Sequence, residues 1–257
     1  MTVRRIEGPA GVLSLHEVGV GGLPVIFLHS LAGNAGQWAR QRALMGRDRR
    51  AVALDLRGHG GSSPPRDGDY SIPAMARDVA AVTEALGLER AVLVGHSFGG
   101  LVALEFAGLR PERVAGLLLA DPSGDARQVP REQVEPFFAA LRGDAYEATI
   151  TDYWRSILKD AAPGVAERVL EDLAATPKAT VLGCWEALMP HDPVPALRRY
   201  AGPALSVITP INDAAWSLHK LVEGLPTRRI EGTSHWLQLD APETFDEILQ
   251  EFLADLD

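Results

Sequence analysis

Short apolar runs alternate with helical stretches through the first half of the chain. Val12–Val18, Pro24–His29, Ala51–Leu54, Ala91–Val94 and Val114–Ala120 read as strands. Gln37–Met45, Ile72–Leu86 and Gly100–Ala107 have helical composition. Such alternation predicts an α/β fold: parallel strands joined by right-handed crossovers, with helices on both faces of the sheet. The unalternating run Leu117-Leu118-Leu119 fits a strand buried on both sides. After Asp121 the pattern changes. Pro130–Leu141, Ala145–Lys159, Val165–Ala174 and Ala179–Met189 look helical, punctuated by Pro130, Gly143, Pro163-Gly164 and Pro177. Alternation returns with Ala204–Thr209, Ser217–Val222, Thr227–Ile230 and Thr244–Leu253. The expectation is a core at 1–121 and 201–257, interrupted by a helical insertion at 122–200. The insertion is rich in apolar and aromatic residues, among them Phe137, Phe138, Tyr153, Trp154, Trp185, Leu188 and Met189. Most of these are expected to pack the insertion onto the core, and a few to line a pocket beneath it.

Composition narrows the class. A chain of 257 residues with 46% hydrophobic and 23% charged residues is ordinary for a globular protein. A net charge of −9 argues against nucleic acid or an anionic membrane as partner. One cysteine, Cys184, cannot form an intramolecular disulfide. No long apolar segment follows the charged N-terminus, so neither a signal peptide nor a membrane span is expected. A cytoplasmic location is the resulting expectation.

The chemistry is concentrated at Gly95-His96-Ser97-Phe98-Gly99, a G-x-S-x-G set between a strand and a helix. A serine on so sharp a turn needs a strained backbone, and the flanking glycines give it room. In that context the motif reads as a nucleophile elbow. An alkyl serine needs a base, and the base needs a group to orient it. His235, in the loop Gly232-Thr233-Ser234-His235-Trp236 after the last strand, is the base expected. Two aspartates follow strands and could stand behind it. Asp213 would give the chain order Ser, Asp, His that accompanies this elbow. Asp121, in Leu119-Ala120-Asp121-Pro122, could reach the same histidine. Each could instead be a turn or cap carboxylate; Asp213 is preferred. Backbone N–H groups of Phe98 and Leu31 are expected to form an oxyanion hole, Leu31 from the loop His29-Ser30-Leu31-Ala32-Gly33. No histidine or carboxylate cluster has metal-site spacing, so no metal or other cofactor is expected.

Together these motifs, with Asp55-Leu56-Arg57-Gly58-His59-Gly60-Gly61-Ser62, resemble the α/β-hydrolase superfamily in its compact, cap-bearing branch. The resemblance spans nearly the whole chain. It implies an eight-stranded, mostly parallel sheet with helices on both faces and a helical cap at 122–200. It also implies that His59 is architectural and that His96 takes no part in the chemistry. Two positions depart from the pattern. Ser30 stands where the oxyanion loop usually has glycine; its hydroxyl could touch the substrate or bond its own loop. Pro210 stands where the acid loop usually has glycine, fixing a φ angle and removing a donor. The activity implied is a serine hydrolase cleaving a small to medium apolar ester or lactone through an acyl-enzyme. Relatives with the same triad also hydrolyse carbon–carbon bonds or act as perhydrolases and haloperoxidases. A ligand receptor on the same scaffold is the alternative from another class. Ser30, Phe137, Trp154, Trp185, Met189 and Trp236 are the expected pocket residues; the partner is a small-molecule substrate.

Overall fold

A computed structural model describes residues 2–256. The chain runs β1 (Thr2–Glu7), β2 (Val12–Val18), β3 (Val25–Leu28), α1 (Ala39–Met45), β4 (Ala51–Leu54), α2 (Ile72–Ala85), β5 (Ala91–His96), α3 (Phe98–Leu109) and β6 (Val114–Ala120). Five helices follow: α4 (Arg131–Arg142), α5 (Tyr146–Ile157), α6 (Val165–Ala175), α7 (Lys178–Leu188) and α8 (Val194–Arg199). The chain closes with β7 (Ala204–Ile208), α9 (Leu218–Leu221), β8 (Thr227–Arg229), α10 (Leu237–Asp240) and α11 (Pro242–Ala254).

The eight strands form one sheet in the order β1-β2-β4-β3-β5-β6-β7-β8. β2 is antiparallel to β1 and β4, and the other pairings are parallel. Every residue of β3, β4, β5 and β6 is buried, because both faces are covered. Leu28, Leu54, Leu93 and Leu119 pack on the face covered by α2 and α3. Phe27, Ala53, Val94 and Leu118 pack on the other face, against Trp38, Phe245 and Leu249. β1 is an edge strand, exposed at Arg4 and Arg5, and lacks the apolar signature of the inner strands.

The chain leaves β3 for β4 on one side, then crosses back to β5 on the other. Loops after β3 and β5 therefore diverge at the carboxyl edge and open a crevice there. The elbow follows β5, the fifth strand of the chain. The loop after β4 is fixed by a buried ion pair: Arg57 donates to both Asp78 carboxylate oxygens, at 2.6 and 2.8 Å. α8 belongs with the core side of the insertion, since Ala196 packs on Gly108 of α3. No helix among the described residues is long and apolar enough to cross a membrane.

Candidate active site

Ser97 has φ 52° and ψ −117°, a conformation disfavoured for any residue with a Cβ. The turn is held because the Ser97 N–H donates to Ala120 O at 2.9 Å, pinning the elbow to the end of β6. Close packing explains the glycines. A Cβ on Gly99 would fall on the carbonyls of His29 and Leu28, and one on Gly95 on Gly99 O and Gly100 Cα. Missing side chains thus let the elbow sit against the loop after β3.

That loop carries Leu31. Two neutral histidines brace it. His29 Nε2 accepts from Leu56 N–H at 2.9 Å, so its Nδ1–H donates to Ser30 O at 2.7 Å. His59 Nε2 accepts from Ala32 N–H at 3.2 Å, so its Nδ1–H donates to Arg57 O at 3.0 Å. Burial lowers their pKa values, to about 4 for His29 and about 3 for His59. Both roles are architectural. Among the described residues the N–H groups of Leu31 and Phe98 have no hydrogen-bond partner, and both residues line the same cavity as Ser97. The Ser30 hydroxyl bonds within its own loop, donating to Gln37 Oε1 at 3.4 Å.

His235 Nδ1–H donates to Asp121 Oδ2 at 2.6 Å. The Asp121 carboxylate is fully buried. Its Oδ1 accepts from Thr209 N–H at 2.7 Å, and its Oδ2 also from Thr209 Oγ1 at 2.9 Å. Asp213, the acid preferred from the sequence, does not meet His235, which bonds the alternative, Asp121. Pro210–Asn212 forms a 3-10 turn after β7, and Asp213 beyond it faces a cluster of basic side chains at the surface. It pairs with Arg229 at 2.6 Å, Lys220 at 2.9 Å and His219 at 3.1 Å. Hydrogen bonds from Lys220 and His219 hold its carboxyl far below the usual range.

The backbone of His235 is fixed from two sides. Its N–H donates to Ile157 O at the end of α5, 3.1 Å away. Its carbonyl accepts His96 Nε2–H at 2.8 Å, and His96 Nδ1 accepts from Gln238 Nε2 at 3.3 Å. His96, wholly buried, has its pKa pushed well below the ordinary value by burial. Among the described residues the Ser97 hydroxyl bonds Ser123 Oγ, at 3.4 Å, rather than His235. Ser123 escaped the sequence reading; its position two residues beyond Asp121 was the available signal.

Ser97 and His235 open into a cavity of about 440 Å³. Its wall includes all six residues expected to line it: Ser30, Phe137, Trp154, Trp185, Met189 and Trp236. Phe137, Tyr153 and Trp185 pack mutually, tilted or edge-to-face, with centroids 5.2 to 5.4 Å apart. Trp154 lies 6.5 Å from Trp236, which lies 5.2 Å from His235, so aromatic contact runs from α5 to the histidine loop. Among the described residues no Lys, Arg, Asp or Glu lines this wall. Cys184, buried in α7, is a packed thiol whose pKa burial raises.

A family model described as the alpha/beta hydrolase fold matches residues 24–242. A 3-oxoadipate enol-lactonase from Acinetobacter baylyi is 28% identical over 241 residues, covering 88% of this chain and 86% of that protein. The dihydrolipoyllysine-residue acetyltransferase component of an acetoin-cleaving system from Pseudomonas putida is 32% identical over 157 residues, 60% of this chain. The first three curated relatives are matched over only 37 to 40% of their own length. An esterase structure from Thermogutta terrifontis superposes with a TM-score of 0.83 at 23% identity, covering 100% of this chain and 99% of that one.

Proposed function

The chain belongs to the α/β-hydrolase fold family, and on that premise we propose that it is a serine hydrolase of uncharged carboxylic esters or lactones. Ser97 is the nucleophile, His235 the base and Asp121 the acid. The observation that carries this reading is the 2.6 Å bond from His235 to the buried Asp121, in the same cavity as the strained Ser97. A carboxylate bonded in this way orients the imidazole and favours its protonated form as charge develops.

Reaction begins with Ser97 Oγ turning from Ser123 to His235. The oxygen attacks the substrate carbonyl carbon while His235 Nε2 takes its proton. The N–H groups of Leu31 and Phe98 receive the oxyanion. Collapse expels the alcohol, which takes the proton from His235. Water, deprotonated by His235, then attacks the acyl-enzyme and releases the acid and Ser97.

The aromatic wall favours an apolar acyl group. The enol-lactonase relative is named for a derivative of oxoadipate, a dicarboxylate. A free carboxylate would find no cation on this wall, and an unpaired buried charge is costly. On this reading the substrate of this chain carries no free carboxylate into the cavity.

Ser97→Ala is expected to abolish hydrolysis of p-nitrophenyl butyrate, with unchanged circular dichroism. A fluorophosphonate should label the native protein once, at Ser97. Undiminished turnover by Ser97→Ala would overturn the nucleophile. A folded protein that is neither labelled nor active would favour a ligand receptor.

A further inference from the structure

The insertion reaches past the cavity to the loop that carries Leu31. Asp172, on α6, accepts from Asn34 Nδ2 at 2.6 Å and from Gln37 Nε2 at 2.8 Å. Asn34 caps the 3-10 turn Ala35–Trp38, its Oδ1 accepting Gly36 N–H at 2.8 Å. Gln37 is 1% exposed. With its NH2 group committed to a carboxylate, its Oε1 is turned toward Ser30, whose hydroxyl it accepts at 3.4 Å. Arg168, one turn earlier on α6, donates to Gly36 O. The core holds the same loop from beneath, through His29, His59 and Asp55, whose Oδ1 accepts Ala35 N–H at 2.7 Å.

We propose that Asp172 is a positioning residue for the oxyanion loop, acting through Gln37 and Asn34 on Ser30 and Leu31. The inference rests on the serine-hydrolase reading above. Donors to an oxyanion help because they are in place before charge develops. Asp172 is not on the cavity wall, so its loss leaves substrate contacts intact. It would strip Asn34 and Gln37 of their acceptor and free the Gln37 amide to turn, after which Ser30 loses its fixed partner. The loop would still be bound to the core but less sharply set, and the cost would fall on the transition state rather than on substrate binding.

The test uses the whole protein with p-nitrophenyl butyrate and a fluorophosphonate. Asp172→Ala is expected to lower kcat at least about tenfold with KM within twofold. Fluorophosphonate labelling should slow by a similar factor. Gln37→Ala should act in the same direction, and the double variant should be no slower than the slower single, since both lie on one path. Asp172→Asn keeps the shape and one acceptor, so it should give a smaller loss and serves if the alanine variant does not fold. Glu171→Ala, exposed on the same helix, should match the native enzyme. The proposal is overturned if kcat of Asp172→Ala stays within twofold, if the loss is in KM alone, or if the two variants are additive. A native protein that is inert and unlabelled overturns the hydrolase reading and this proposal together. A native protein that is active and labelled, beside an equally fast Asp172→Ala, overturns only this one.

Discussion

The carboxylate of Asp121 is wholly buried yet fully bonded, with Thr209 supplying two donors and His235 a third. Asp213, by contrast, is held by Arg229, Lys220 and His219, and none of its bonds reaches His235. Asp121→Asn is therefore expected to lower kcat/KM by a factor of about a hundred or more, because an amide NH2 facing Nδ1 forces the wrong tautomer. Asp213→Asn should leave kcat/KM within about twofold, as for a surface ion pair. Steady-state kinetics on both variants decides it, and the reverse ranking would return the acid to Asp213. Chain order favoured Asp213 in the sequence. What it could not reveal is that Arg229, Lys220 and His219 converge on that carboxylate, since strand β8 and helix α9 must fold before they meet. The elbow was legible because glycine spacing is a local backbone requirement. Its partner aspartate was not, because the choice depends on where two neighbouring loops turn.

Among elements, the buried strands were the most legible: β3, β4 and β6 are apolar throughout and β5 is so up to His96, and each follows from its own residues. β1 was missed because an edge strand carrying Arg4 and Arg5 has no apolar alternation to read. The short helix α8 was missed because six residues with Pro195 in the first turn carry little periodicity. At the β5–α3 elbow main chain packs closely on main chain. Gly99→Ala would drive a methyl group into the main chain at Leu28 and His29, where no flexible side chain can yield. Overpacking of this kind costs about 1–3 kcal/mol, and the displaced loop is the one bearing Leu31. Thermal denaturation should show a Tm drop of roughly 2–10 °C, with hydrolysis lost well beyond the stability change. Retention of both native Tm and native activity would mean that the close approach is not needed.

Across the whole molecule, backbone strain is gathered in one place. Among the described residues, the non-glycine positions with positive φ are Ala32, Ser97 and Asp121, which follow the adjacent strands β3, β5 and β6. Each costs about 1–3 kcal/mol and persists only where surroundings fix it. At Ala32 that fixing falls to the buried neutral His59, with His29 bracing the same loop, which makes the fold sensitive to acid. The folded pKa is about 4 for His29 and about 3 for His59, against about 6.5 in an unfolded chain. Between these values the unfolded chain binds more protons than the folded one, so stability rises with pH. Their contribution is fully present above pH 6.5 or so and is lost as pH falls toward 4 and then 3. At pH 5 the loss is on the order of 2 kcal/mol for each histidine. Asp213 adds the same sign only at much lower pH, where its unfolded carboxyl protonates. The window from pH 7.5 to 5 therefore isolates the histidines from that carboxylate. Urea denaturation across it should show a falling midpoint with an unchanged m-value. A flat profile would mean that His29 and His59 accept protons in the folded state, and so that the bonds from Leu56 and Ala32 do not brace the loop that carries Leu31.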